Sequence, residues 1–411
     1  MSLPTDPGRG AVREERRRVR GEHLSRVETG DVGLLAPVWV GTWAEALTGD
    51  RQVLEAMVAF EAALSRAGVT NGLGSNVARL DADGIDVRAL ARDAVSPGNP
   101  TVPLVAALRG AVPEGEDPSG LHHGATSQDV VDSALMLVSS AVLHEVEGQL
   151  AVLAGRLAAL ARAHRSVLCV ARTLTQQAMP TTLGFRVAGW LMGVHDALAV
   201  VRACQPLPVS LGGPVGTLAA YGSAGPDVVA SVASDLGLAA PVLGWHTRRT
   251  PVLGVATALA AVGEACGRIC ADLLLMSQTE VGEASDGSGG GSSAMAHKAN
   301  PTRSVLVVSA ARQLPGLLAT LASSGADASE RPAGAWHAEW QPLRTMLRLA
   351  GAAAERTADV AGDVTFDVAA MSRNLGLLLA AVGKDQAWAA AQTEHVDVWV
   401  ERALAHHEEV C

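Results

Sequence analysis

Aromatic side chains are scarce: 8 Trp, 3 Phe and 1 Tyr make up 3% of 411 residues. Strands draw on Tyr, Phe and Trp, so a β-sandwich is disfavoured, and abundant Ala, Leu and Val point to closely packed helices. Charge is thin as well, at 18% of residues, with a net −10 and a pI near 5.6. That balance argues against nucleic acid as the main partner, and it leaves any anionic substrate dependent on cations placed at the site itself. The five cysteines (Cys169, Cys204, Cys266, Cys270 and Cys411) are an odd number without disulfide or zinc spacing. Cys266 and Cys270, one helical turn apart, read as packing residues, and neither metal nor cofactor is expected. No uninterrupted apolar run approaches the length that spans a bilayer, and the N-terminus carries no hydrophobic signal core. A reduced, soluble, cytoplasmic protein with no membrane or nucleic-acid partner is expected.

What is present is helical periodicity. Apolar residues fall at steps of three and four from Leu135 to Leu160 and again from Val255 to Met276, with a third stripe around Leu183 to Val194. Stripes this long, without period-two alternation, are the helices of a bundle. Further helical patterns cover about 303–322 and 338–358, and Pro-, Gly- or Ser-bearing breaks fall near 96–103, 205–216, 222–226, 286–292 and 323–334. The reading is an all-α chain in parts. Residues 1–32 are an Arg/Glu-rich extension whose interspersed glutamates suit a solvated tail better than a nucleic-acid arm. Residues 33–125 form an N-terminal helical domain, 126–361 a central bundle of roughly five long helices, and 362–411 a short C-terminal cap.

The most informative stretch runs Gly291-Ser292-Ser293-Ala294-Met295-Ala296-His297-Lys298-Ala299-Asn300-Pro301, after a glycine-rich lead-in. On composition alone a Gly/Ser-rich run reads first as a flexible linker. It is no P-loop, because no Gly-Lys-Ser/Thr closes it. The ordered tail Met295 to Pro301 shifts the balance, since a linker needs none of it. Hydroxyls at Ser292 and Ser293, an ammonium at Lys298, an amide at Asn300 and many backbone N–H groups can together stabilise an oxyanion. A second chemical stretch is His122-His123-Gly124-Ala125-Thr126-Ser127-Gln128-Asp129. There Thr126, Ser127 and Gln128 read both as a helix N-cap and as neutral donors to an anion, because a helix N-terminus is itself an anion site.

The loop resembles the signature G-S-S-x-M-P-x-K-x-N-P of the fumarase/aspartase superfamily of elimination lyases, departing only at Ala296, where the family has proline. Three more blocks carry the resemblance in the family's order: Gly98-Asn99-Pro100, His122 to Asp129, and Arg172 to Thr182. Together they extend it over roughly 34–377. The resemblance implies a three-part helical fold, a homotetramer sharing central helices, and active sites combining segments from three subunits. It implies Ser292 as the acting alkoxide, Lys298 as the cation beside the developing aci-carboxylate, and His122 as the active-site histidine. It also implies a substrate-binding set of Asn300, Ser293, Thr126, Ser127, Gln128, Asn99, Thr173, Gln176 and Gln177. Arg331 and, less firmly, Arg248 are nominated as further cations for a small polycarboxylate substrate; either could instead be a surface ion pair.

Two departures narrow the chemistry. Fumarases, aspartases and adenylosuccinate lyases place a histidine directly after the Arg-Thr pair and a glutamate five residues after the loop asparagine. Here those positions are Leu174 and Val305. Losing one partner alone would strand a polar group, so joint apolar replacement is physically coherent. The pattern is similar to bacterial 3-carboxy-cis,cis-muconate cycloisomerases of aromatic catabolism, along with Trp245-His246-Thr247, Gln278 to Glu283 and Ala335 to Trp340. It implies conversion of 3-carboxy-cis,cis-muconate to 4-carboxymuconolactone, in which the leaving group is a carboxylate that needs no general acid. The alternatives are a related lyase expelling an amine or nitrite from a substituted succinate, less readily adenylosuccinate lyase, and last a non-catalytic helical oligomer.

Overall fold

The computed structural model describes residues 32–72, 80–114, 117–291, 295 and 298–410. The N-terminal extension as far as residue 31, and Ser292, Ser293 and Ala296, therefore lie outside the described residues.

The helices begin with α1 (Trp43–Leu47), α2 (Asp50–Thr70), α3 (Val87–Asp93) and α4 (Thr101–Ala111). The bundle follows as α5 (Ser127–Ala163), α6 (Leu183–Ala203), α8 (Thr250–Met276), α9 (Thr302–Ser324) and α10 (Ala335–Asp363), with α7 (Gly225–Leu236) between α6 and α8. After them come α11 (Val368–Val382), α12 (Gln386–Thr393) and α13 (Val396–Val410). The three stripes read from sequence are the inward faces of α5, α6 and α8. Val142, Val146, Leu150 and Leu153 on α5, and Val255, Leu259, Val262 and Cys266 on α8, are fully buried. Five long helices pack on one another: α5 on α6 and α10, α6 on α8, and α8, α9 and α10 mutually. Small residues permit this closeness. A Cβ on Gly267 of α8 would sit 2.5 Å from the Cβ of Ala311 on α9, so a larger residue there would push the two helices apart.

Helical throughout was too simple a reading. Residues Leu168–Thr173 (β1) and Gln176–Thr182 (β2) form an antiparallel hairpin, and Ala284–Ser285 (β3) pairs with Thr365–Phe366 (β4). The hairpin has no one-sided apolar alternation long enough to signal a strand, and it packs mainly on α11 and α12. Two helices, α8 and α9, are long and apolar enough to cross a membrane by composition. Most of that stretch of α8 is buried among its neighbours, whereas most of that of α9 faces outward in the single chain.

The antiparallel bundle has two chemically distinct ends. One collects the start of α5, the loop 204–249, the start of α8 and the turn before α10. The other collects the end of α5, the β1–β2 hairpin, the segment after α8 and the start of α9. The 37 residues of α5 separate them by about 55 Å at the usual rise per residue.

Candidate active site

At the first end, Asp129 organises the turn 122–128. Its buried carboxylate accepts hydrogen bonds from the backbone N–H of Thr126 (2.9 Å), Gly212 (2.8 Å) and Gly213 (3.0 Å) and meets Nε2 of His246 at 2.5 Å. A helix N-terminus welcomes such a charge. Here the charge also fastens α5 to the loop 210–216, so Ser127 and the turn before it stay open at the surface of the cluster. One layer deeper, Arg249 lies between two buried carboxylates. It donates to Asp132 at 2.7 and 3.0 Å and to Glu339 at 3.0 and 2.5 Å, while Trp336 Nε1 donates to Asp132 at 3.0 Å. Burial pushes the Glu339 carboxyl above its ordinary range, against the pull of Arg249. This network was not foreseen, because a buried arginine beginning a helix looks like any other in sequence.

The sequence candidates divide on this frame. Gln128 is fully buried, and its amide is committed: Nε2 donates to the His246 carbonyl at 2.9 Å and to Asp132 at 3.3 Å, and Oε1 accepts from Arg331 Nε at 3.1 Å. It is a support for Arg331 rather than a free donor. Arg331 also donates to the Pro214 carbonyl at 3.3 Å, so both of these partners are neutral. Arg248 is exposed and, among the described residues, bonds the Leu243 carbonyl alone, at 3.3 Å; the neighbouring Arg249 holds the buried position instead. Asn99 caps the start of α4, accepting from Thr101 N–H at 3.1 Å and donating to the Pro97 carbonyl. Its loop still belongs to this end, since Thr101 Oγ1 donates to the Ser127 carbonyl and a Cβ on Gly98 would lie 3.8 Å from His337 Nε2.

His122 sits at the mouth of this end with a left-handed backbone, φ 56°. Its backbone N–H donates to Glu61 Oε2 at 2.9 Å and its ring Nδ1 lies 2.7 Å from Glu61 Oε1. Glu61, on α2 and fully buried, is a second residue that sequence reasoning missed. A glutamate in an otherwise apolar helix face is the signal that could have found it. His123 instead packs edge-on against Tyr221, the single tyrosine of the chain, whose hydroxyl donates to the His123 carbonyl.

At the far end, Thr173, Gln176 and Gln177 are exposed on the hairpin, and its two-residue tip, Leu174 and Thr175, has φ 49° and 70°. Leu174 is 96% exposed and Val305, on the first turn of α9, 48% exposed. No histidine or glutamate side chain therefore occupies either position. The base of the signature loop is tightly held. Asp286, buried, accepts from Ser288 N–H and from both N–H (3.1 Å) and Oγ (2.9 Å) of Ser304 in the first turn of α9. Gly290 and Asn300 pair across the loop, with Asn300 N–H donating to the Gly290 carbonyl at 2.8 Å. A Cβ on Gly290 would fall 2.1 Å from Thr302 Oγ1, so the loop closes at this point only around glycine. Lys298 is exposed above that closure, and it is one of only two lysines in the chain, the other being Lys384.

Comparison with known proteins identifies the family. A family described as Lyase matches residues 104–316. The chain belongs to the fumarase/aspartase lyase family. It is 41% identical over 368 residues to a nitrosuccinate lyase from Streptomyces davaonensis, covering 84% of this chain and 77% of that one. It is 37% identical over 364 residues to a 3-carboxy-cis,cis-muconate cycloisomerase from Bradyrhizobium diazoefficiens, covering 84% and 81%. The crystal structure of the 3-carboxy-cis,cis-muconate lactonizing enzyme from Pseudomonas putida superposes with a TM-score of 0.81 at 29% identity, covering 92% of this chain and 99% of that one. This lyase is thus an enzyme related to both kinds of catalyst.

Proposed function

We propose that this lyase removes a proton from a carbon beside a carboxylate and expels a weakly basic anion from the adjacent carbon, forming a C=C bond, or runs the reverse addition. The observation that carries this reading is the exposed pair Leu174 and Val305 at the end that holds the signature loop. A leaving group such as hydroxide or an amine must be protonated as it departs, and neither Leu174 nor Val305 offers a proton. Nitrite and carboxylate are stable anions and leave without one.

In this reading Ser292, as its alkoxide, takes the C–H proton. The electron pair moves into the neighbouring carboxylate as an aci-carboxylate, with Lys298 and Asn300 bearing the new charge. It then returns to form the double bond as the C–N or C–O bond breaks. Ser127, the amide end of α5 and Arg331 hold a non-reacting carboxylate. The loop and the 122–128 turn stand about 55 Å apart along α5, which supports sites assembled from different copies of the chain, with the exposed apolar face of α9 inside a homotetramer.

Nitrosuccinate, giving fumarate and nitrite, is the first substrate to test, because the 41% identical relative bears that name. Cycloisomerisation of 3-carboxy-cis,cis-muconate is the second reading, favoured by the structural match over 99% of the lactonizing enzyme. A parallel assay separates them: nitrite release with fumarate absorbance for one, loss of the diene absorbance for the other. Activity on either should vanish in Ser292→Ala. Turnover of neither, with adenylosuccinate or argininosuccinate cleaved instead, would overturn the proposal.

A further inference from the structure

His122 has a role in the reaction above only if its ring faces the substrate in one defined way, and the residue that could define it lies far away in sequence. Glu61 is on the buried face of α2, among Met57, Phe60 and Leu64, and is itself fully buried. Among the described residues its hydrogen bonds come from one residue: Oε2 accepts from the His122 backbone N–H at 2.9 Å, and Oε1 meets the His122 ring Nδ1 at 2.7 Å. A carboxylate taken into an apolar helix face is strongly disfavoured unless it is hydrogen-bonded. Both of its bonds are spent on one histidine, across 61 positions of sequence.

The histidine is adapted to the carboxylate in turn. A non-glycine residue at φ 56° carries backbone strain that persists only where its surroundings fix it. That conformation turns the N–H and the ring toward the same side, which permits the two-point grip. We propose that Glu61 is the positioning residue of His122: it keeps a hydrogen on Nδ1, in either charge state of the ring, and so reserves Nε2 as the atom that meets the substrate. The side chain of His122 is 19% exposed, while that of Glu61 is closed to solvent. Substrate can therefore reach the ring but not the carboxylate behind it. The same logic fixes tautomers wherever one imidazole nitrogen is bound so that the other can act.

The role of Nε2 toward substrate rests on the elimination reading, whereas the tautomer does not, and the test keeps them apart. In protein labelled with 15N at histidine, the His122 ring signals are assigned by their loss in His122→Asn. The free enzyme should show the Nδ1–H tautomer. Glu61→Gln should shift the ring to a mixture and lower kcat/KM by about 10- to 100-fold, the usual effect of removing such a partner. In a His122→Asn background the same change should have little further effect, since a residue acting through another loses its influence when that other is gone. An unchanged tautomer in Glu61→Gln, or fully additive losses in the double variant, would overturn the proposal. Should Glu61→Gln not fold, Glu61→Asp, which keeps the charge but withdraws it by one methylene, gives the same readings. If neither nitrosuccinate nor the muconate is turned over, the ring spectra still decide whether Glu61 positions His122.

Discussion

Arg249 balances two buried carboxylates, Asp132 and Glu339, and its guanidinium also stands 5.0 Å from the centre of the Trp245 ring. Removing one member of such a cluster leaves the others buried without a counter-charge. Arg249→Met should therefore cost about 3–5 kcal/mol in denaturant unfolding. Arg248→Met, at an exposed position bonded to one carbonyl, should stay within about 0.5 kcal/mol. Equal effects would contradict the network. The contrast marks where sequence reasoning runs out at this scale. Ser292, Lys298, Asn300 and His122 can be nominated from sequence because their residue types stand at fixed spacing within short blocks. Glu61, Arg249 and Glu339 cannot, since their partners lie on other helices and nothing local distinguishes a buried ion from a surface one. Gln128 was legible as polar, but its commitment to His246, Asp132 and Arg331 depends on three distant segments.

The β1–β2 hairpin carries its own strain. Both tip residues have positive φ, the pattern of a type I′ turn, which Asn-Gly fits and Leu-Thr does not. Strained backbone that survives in a fold is a reason to suspect use. Replacing Leu174-Thr175 by Asn-Gly should raise stability by roughly 1–2 kcal/mol in thermal or denaturant unfolding, from the usual strain at such positions. It should also reduce kcat/KM, because the tip would lose the apolar surface that replaces a proton donor. Gains in both stability and turnover would show that the tip has no part in the site. Long helices were readable as elements because their period repeats over many turns; the hairpin was not, because its faces are set by α11 and α12 rather than by alternation. The order of helices and hairpin places the signature loop and the 122–128 turn at opposite ends, which local periodicity could not reveal.

At the scale of the whole molecule, the C-terminal helix α13 is tied to α6 through histidines and to α5 through an ion pair. His195 Nε2 lies 3.2 Å from His407 Nδ1, with His406 edge-on at 5.3 Å, and Arg162 pairs with Glu408. Burial, then the neighbouring His407, His406 and Arg202, hold the His195 pKa down at about 4, with Asp196 opposing them. Between its ordinary value of 6.5 and about 4, the unfolded chain binds a proton there that the folded chain refuses. Stability is therefore unaffected by this group above pH 6.5 and is lost as pH falls toward 4. Denaturant midpoints measured across that range should decline, and His195→Gln should flatten the decline. A second whole-molecule consequence follows from the separation of the two ends. If each site takes Ser292 from one copy and His122 from another, inactive Ser292→Ala and strongly impaired His122→Asn proteins should gain activity well above either alone when unfolded together and reassembled. Some sites in the mixed oligomers would then draw both intact residues from different chains, while each variant reassembled alone would show no gain. Absence of any recovery, with mixed oligomers confirmed by mass, would require both residues to act within one chain, which the length of α5 opposes.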